Sequence, residues 1–177
     1  MNLKRQEQAM TQAWILGAVS ILCSGAALAQ TTYHVGVGAG PEYGGLGATI
    51  ERVTDNDKIT VGGGLVNSHR IAGEAYGASL MYHRFDLINA ASGEHALGIG
   101  IAPVGHRWRY FVEQDTAGRW HYRTDYHDVI YGGLLAYNYH PRGASLGGFH
   151  VGVSYGYGSR AGETASGLNI TFGYRFN

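Results

Sequence analysis

The sequence predicts an all-β protein, an eight-stranded antiparallel up-and-down transmembrane β-barrel over residues 30–177, and three observations predict it. Eight successive runs alternate bulky apolar residues with small or polar ones, the period of a strand whose side chains face opposite sides. Of the 29 glycines, 27 follow residue 29, together with all 13 tyrosines, which is too much glycine for a helical protein and too aromatic for a disordered one. The final run, Gly167–Asn177, sets Ile170, Phe172, Tyr174 and Phe176 on one face and Asn169, Thr171, Gly173 and Arg175 on the other. Bulk on one face and small polarity on the other fits a wall turned outward to lipid, with polarity in the lumen.

The N-terminus has the form of a secretory signal peptide, residues 1–29. Lys4 and Arg5 precede an apolar run from Ala13 to Ala29 that ends in Ala27-Leu28-Ala29, a small-residue cleavage site. Cleavage there leaves 148 residues, enough for one domain, with 11 Lys plus Arg against 12 Asp plus Glu. That balance gives no electrostatic reason to expect nucleic acid. The one cysteine, Cys23, lies in the leader, so disulfide and thiol chemistry is excluded from the mature chain. No later stretch approaches the length of a membrane helix, so a membrane-embedded chain must close its backbone as a barrel.

Each strand follows from its own alternation. Tyr33, Val35 and Val37 alternate with His34, Gly36 and Gly38; Leu46, Ala48 and Ile50 with Gly47, Thr49 and Glu51. Ile59, Val61 and Leu65 alternate with Thr60, Gly62 and Gly64, and Tyr76, Ala78, Leu80 and Tyr82 with Gly77, Ser79, Met81 and His83. Leu97, Ile99 and Ile101 face away from Gly98, Gly100 and Ala102. Val129, Tyr131, Leu135 and Tyr137 oppose Asp128, Gly132 and Asn138, with Ile130 and Leu134 interrupting the polar side. Phe149, Val151, Val153, Tyr155 and Tyr157 oppose His150, Gly152, Ser154 and Gly156, and the terminal run makes eight. The second face carries too few charges for a solvated exterior.

The connections at Thr54–Asp57, Ala90–Glu94 and His140–Ala144 read as short turns, and those at Asn67–Glu74, Gly105–Tyr126 and Gly158–Ser166 as longer loops. With both termini in the periplasm, the longer loops face outward. The first outer connection, near Gly40–Tyr43, is shorter than that pattern expects. Tyr82, Phe85, Tyr137, Tyr139, Phe149, Tyr174 and Phe176 are expected at the periplasmic rim and Tyr131, Tyr155 and Tyr157 at the outer one, as paired interfacial girdles.

On these patterns, residues 31–177 resemble the small eight-stranded outer-membrane barrels of Gram-negative bacteria, of the kind formed by OmpX and the OmpA membrane domain. The resemblance is carried by pattern and most specifically by Gly167-x-x-Ile170-x-Phe172, Tyr174 and Phe176, which look like the segment recognised by the barrel-assembly machinery. It departs in ending on Asn177 rather than on the aromatic residue. The resemblance implies an outer-membrane location after export and membrane lipid and lipopolysaccharide as surroundings.

Residues 106–126 form the most distinctive segment and read as a protruding hairpin around a turn at Asp115–Gly118. Arg107, Arg109, Arg119 and Arg123 are candidates for binding lipopolysaccharide phosphates, since guanidinium geometry suits them. Trp108, Tyr110 and Trp120 are candidates for stacking on sugars or anchoring a surface protein partner. The bland alternative is a self-packed loop whose four arginines pair with Glu113, Asp115, Asp125 and Asp128. Facing inward, His34, Glu51, His83, Asp128, His150 and Arg175 are expected to form a lumenal polar network. A charge in a narrow barrel is costly unless paired, so Glu51 or Asp128 should meet Arg175 or a histidine.

Nine histidines raise the question of metal, yet none forms His-x-His and none has a cysteine partner, so no metal site and no cofactor are expected. A lipid A-modifying enzyme would need a serine against a histidine, and no histidine here is followed two residues later by serine. His150 and Ser154, like Ser79 and His83, share a face but stand about 13 Å apart along a strand. The expected function is therefore structural and adhesive rather than enzymatic, a closed barrel presenting its outer loops, chiefly 105–126. Rival readings are a soluble periplasmic barrel around an apolar ligand, a lipid A-modifying enzyme, and a small channel.

Overall fold

A computed structural model describes residues 31–70, 73–88, 94–115 and 117–177, without the side chains of 108, 110 and 122–127. The leader proposed for residues 1–29 and most of the turn expected at Ala90–Glu94 lie outside the described residues. The chain is all-β and forms one closed antiparallel barrel in sequence order: β1 (Thr32–Gly40), β2 (Gly45–Val53), β3 (Asp57–His69), β4 (Gly73–Arg84), β5 (His95–Gln114), β6 (Trp120–Tyr139), β7 (Gly148–Arg160) and β8 (Glu163–Phe176). Up-and-down closure leaves no strand edge over the paired zone, which satisfies the backbone internally.

Tilt follows from register. Ladder partners traced around the barrel from Val35 run through Ile50, Val61, Leu80, Ile101, Gly133, Tyr157 and Ser166. The β1–β8 register would then set Ser166 opposite position 45, ten residues beyond the start. A stagger of that size over eight strands gives a tilt of about 40° and an axial rise of about 2.5 Å per residue.

The barrel is apolar outside and polar inside. Ile99, Ile101, Leu135, Tyr155, Leu168, Ile170, Phe172 and Tyr174 are all exposed on the outer wall, while His34, Glu51, Lys58, His83, Asn138, His150 and Arg175 are buried. Phe149 and Tyr157 are both outward on β7, eight residues or about 20 Å of height apart, and bracket the apolar band. Phe85, expected in the lower girdle, is buried instead, packing with Val53, Ala96 and Ala144 as a floor beneath the lumen. Ile130 and Leu134, the interruptions in the sixth run, do face inward. Leu134 joins Met81, Ala102 and Ala136, with Val104 against them, as an apolar layer above the polar one.

Strand heights are unequal. β1 and β2 have nine residues each, β5 and β6 twenty. The 105–126 segment is the expected protruding hairpin, paired from Gly105↔Ile130 to Gln114↔Trp120. The other two long outer loops are not loops. β3 and β4 pair up to His69↔Gly73, and β7 and β8 up to Arg160↔Glu163 around Ala161 and Gly162, both at positive φ as a two-residue hairpin turn requires. A register shift between Leu65 and Asn67, together with turn-prone composition, disguises these extensions as loops.

Candidate functional site

Two inward wedges organise the lumen, and the inward glycines are their sockets. The first is the short β1–β2 connection, a single 3₁₀ turn over Pro41–Tyr43 that folds down into the barrel. Pro41 presets the first turn position, and Gly40 (φ 127°) and Gly44 (φ 68°) reverse the chain at angles that L residues rarely adopt. The Gly44 amide closes the turn on the Pro41 carbonyl at 3.0 Å. Glu42 and Tyr43 are thereby buried. A methyl at Gly38 would lie 2.6 Å from the Tyr43 ring, one at Gly173 would overlap its hydroxyl, and one at Gly47 or Gly64 would lie 2.7 Å from its carbonyl. The second wedge is the bulge between Pro103 and Gly105 on β5. There Val104 packs onto Gly156 and Gly158, and Pro103 onto Gly77.

Below the first wedge lies the polar layer. Asn138 Nδ2 donates to Glu42 Oε1 at 2.8 Å and Oε2 at 3.1 Å, and His83 Nε2 stands 3.3 Å from Oε1. Ser79 donates its hydroxyl proton to the Glu42 carbonyl. The Tyr43 hydroxyl is hydrogen-bonded to His150 Nε2 at 3.3 Å, with the two rings stacked. Glu51 faces two cations, Lys58 Nζ at 3.8 Å and Arg175 Nη1 at 3.5 Å. Arg175 also donates to the carbonyls of Ala144 (2.8 Å) and Leu146 (3.1 Å), pinning the β6–β7 turn over the floor. The Asn177 side chain accepts from the Gly147 amide at 2.7 Å, so the residue after the terminal aromatic fastens the same turn.

Five of the six residues expected in the lumenal network, His34, Glu51, His83, His150 and Arg175, are there, and Glu51 does meet Arg175. Asp128 is a correction. It stands on the outer rim, 3.1 Å from Arg107 and 3.2 Å from Arg160, with Glu163 reaching Arg107 at 4.0 Å. Strand parity sets it on the inward face, but its height places it above the lumen. Sequence reasoning missed Glu42, Tyr43, Lys58 and His140. Lys58 was recoverable, because Ile59 outward forces its neighbour inward. The wedge left a fainter mark, glycines stacked on the inward faces of four strands beside a glycine-flanked Pro-Glu-Tyr.

On the hairpin, Arg119 pairs with Asp115 at 3.0 Å, as does His121. The Asp115 carboxyl also caps the turn, accepting from the amides of Ala117 (2.9 Å) and Arg119 (2.8 Å). These contacts, led by the Arg119 amide, hold its pKa below the ordinary 3.8. Arg107 and Arg119, two of the expected phosphate ligands, are thus engaged within the protein. Arg109 is exposed, as are Phe111, Val112 and Trp120. The side chains of Trp108, Tyr110 and Arg123 lie outside the described residues. Among the described residues, no three metal-ligating side chains converge. His83 faces Glu42 and Asn138, while the Ser79 hydroxyl is spent on a backbone carbonyl, so those two do not meet as a nucleophile and base.

Comparison of the chain with protein-family models, curated proteins and solved structures found no match.

Proposed function

We propose that this chain is an integral outer-membrane β-barrel, related in kind to the OmpX and OmpA membrane-domain barrels, that stands closed in the bilayer and presents its 105–126 hairpin to partners at the cell surface. The observation that carries this reading is the inside-out distribution of polarity. Phe172 and Tyr174 are 49% and 48% exposed on the wall, whereas Lys58 and Arg175, the residues a soluble barrel would turn to water, are 0% and 1% exposed. A soluble barrel wrapped around an apolar ligand needs the opposite arrangement, and an apolar wall of this extent in water is an aggregation surface. The height of the band between its tyrosines and phenylalanines supports a bilayer as the solvent. Two wedges across the lumen support a structural rather than a conducting barrel. At the hairpin, paired arginines and exposed Phe111, Val112 and Trp120 favour contact through apolar and aromatic surface over capture of lipopolysaccharide phosphate.

The test is to express the full chain, fractionate the membranes and compare unheated with boiled sample on a gel. Recovery in the outer membrane with a heat-dependent mobility shift is expected. Release as a soluble periplasmic protein without detergent would overturn the reading.

A further inference from the structure

We propose that the barrel wall carries a lateral notch above β1 and β2, between β8 and β3, that seats the upper acyl chain of a phosphorylated lipid of the outer leaflet. The inference rests on the outer-membrane reading and adds to it a defined lipid site. The β1–β8 ladder ends at Ala39↔Phe172 and the β2–β3 ladder at Leu46↔Leu65. Above those pairs β8 runs on to Glu163 and β3 to His69, β8 paired along its far side with β7 and β3 with β4. With about 2.5 Å of height per residue and about 3 Å per step between ladder partners, Gly40 and Gly45 stand about 13 and 16 Å above Val35. Tyr131 and Tyr157, exposed on the outer wall, stand at about 19–20 Å on the same scale. The β1–β2 tip therefore stops below the outer aromatic girdle while the strands on either side rise past it.

Behind the gap the barrel is apolar, unlike the polar layer beneath the Pro41–Tyr43 wedge. The inward-turned residues at this level are Val66 on β3, Val104 and Gly105 on β5, and Ala165 and Gly167 on β8, all half-buried rather than enclosed. Contacts join them into one concave surface: Val66 and Pro103 both lie against Gly77, Val104 against Gly158, and Gly105 against Ala165. Gly167 has nothing within 4 Å of the place a Cβ would take. Ala39, the ladder partner of both Leu46 and Phe172, carries the notch down the wall as a furrow between two exposed large side chains.

The β8 edge adds a polar demand at the same place. Alternate residues of β8 above Phe172 turn backbone groups to the gap at bilayer depth, where lipid chains satisfy none. Asn169 Nδ2 answers one of them, donating to the Gly167 carbonyl at 3.2 Å. An occupant with ester and phosphate groups above an apolar chain meets both demands. Arg70, exposed at the end of β3 about 10 Å above Val66, supplies a cation at phosphate height. The acidic groups of that rim are engaged, Glu74 by the Tyr76 hydroxyl, Glu163 by Arg107, and Asp128 by Arg107 and Arg160.

The test uses the barrel purified from membranes in detergent and stripped of lipid, with dimyristoyl phosphatidylglycerol as the probe, read by native mass spectrometry. One retained lipid per barrel is expected. Gly167→Phe, which fills the notch, should weaken retention about tenfold, and Arg70→Gln about threefold. Gly133→Phe sets the same ring on the open outer wall, where Gly133 also has nothing within 4 Å, and should leave retention unchanged. In vesicles, a nitroxide at Gly167→Cys should be relaxed by oxygen as an outward site is, although its strand phase points inward. No retained lipid, equal retention by wild type and Gly167→Phe, or an equal loss in Gly133→Phe would each overturn the notch. So would a Gly167→Cys label shielded from oxygen while a label at Leu135→Cys on the outer wall reports hydrocarbon. A Leu135→Cys label in water would overturn the membrane reading, and the notch with it.

Discussion

Adding a methyl to Gly173 should damage the barrel, and removing the Tyr43 ring should cancel that damage. In the wild type the Tyr43 ring lies in a slot bounded by Gly36, Gly38 and Gly173, with its hydroxyl on His150. The Cβ of Gly173→Ala would overlap that hydroxyl and approach His150 Cε1 to 2.7 Å. Overpacking of this kind costs about 1–3 kcal/mol, and a displaced buried hydrogen bond about 1 kcal/mol more. Tyr43→Ala alone leaves a cavity and should cost about 3–5 kcal/mol, as other large aromatic truncations do. In the double variant the overlap with the hydroxyl is gone, and His150, released from its stacking and hydrogen-bond partner, can move off the methyl, so the methyl's own cost should fall or vanish. The coupling should therefore be about 1–3 kcal/mol, read as a double-mutant cycle from urea unfolding in lipid vesicles, with the heat-dependent gel shift reporting folded barrel. Additivity within about 0.5 kcal/mol would refute the idea that the inward glycines exist to seat the wedge.

Other consequences follow from the same geometry. Glu51→Gln removes the carboxylate that Lys58 and Arg175 share, leaving Arg175 without an acidic partner and Lys58 with only the more distant Glu42, and should cost about 3–5 kcal/mol in the same unfolding assay, whereas Glu51→Met combined with Lys58→Met should cost less than the two single changes summed. Asn177→Ala removes the acceptor for the Gly147 amide and should cost about 1 kcal/mol, measurable as a lower urea midpoint. The Asp115 carboxyl has a folded pKa below the ordinary 3.8, so its contribution to the hairpin tip is complete above that value and is lost as pH falls through the lower one. Amide exchange at Ala117 and Arg119 should therefore lose protection in acid, once corrected for intrinsic rates. Asp115→Asn should reproduce that loss at neutral pH.

The wall was legible because burial in a barrel has the same period as the strand. Once Phe172 and Tyr174 are assigned outward, Arg175 and Gly173 must face in, and the same parity places His34, Glu51, His83 and His150. Parity says nothing about height. That is why Asp128, correctly inward by phase, belongs to the rim with Arg107 and Arg160 rather than to the lumen. It also breaks wherever a bulge inserts a residue, as at Leu65–Asn67 and Pro103–Gly105. The wedge was illegible for a different reason. Its direction depends on Gly40 and Gly44 adopting positive φ, and glycine permits that conformation without demanding it. Nor does composition reveal that a glycine-rich face is filled from a turn on another strand.

The most direct test of whether the outer wall faces lipid, as proposed, compares two neighbours on β6. Leu135 is 64% exposed and Leu134 is 2% exposed, so a nitroxide attached at a single cysteine in a Cys23→Ser background samples opposite faces of one strand. The barrel reconstituted in vesicles should relax the label at Leu135→Cys strongly with oxygen, which concentrates in hydrocarbon, and weakly with a water-soluble nickel chelate. The label at Leu134→Cys should be shielded from both. Strong relaxation of the Leu135→Cys label by the nickel chelate would put the apolar wall in water and contradict the account.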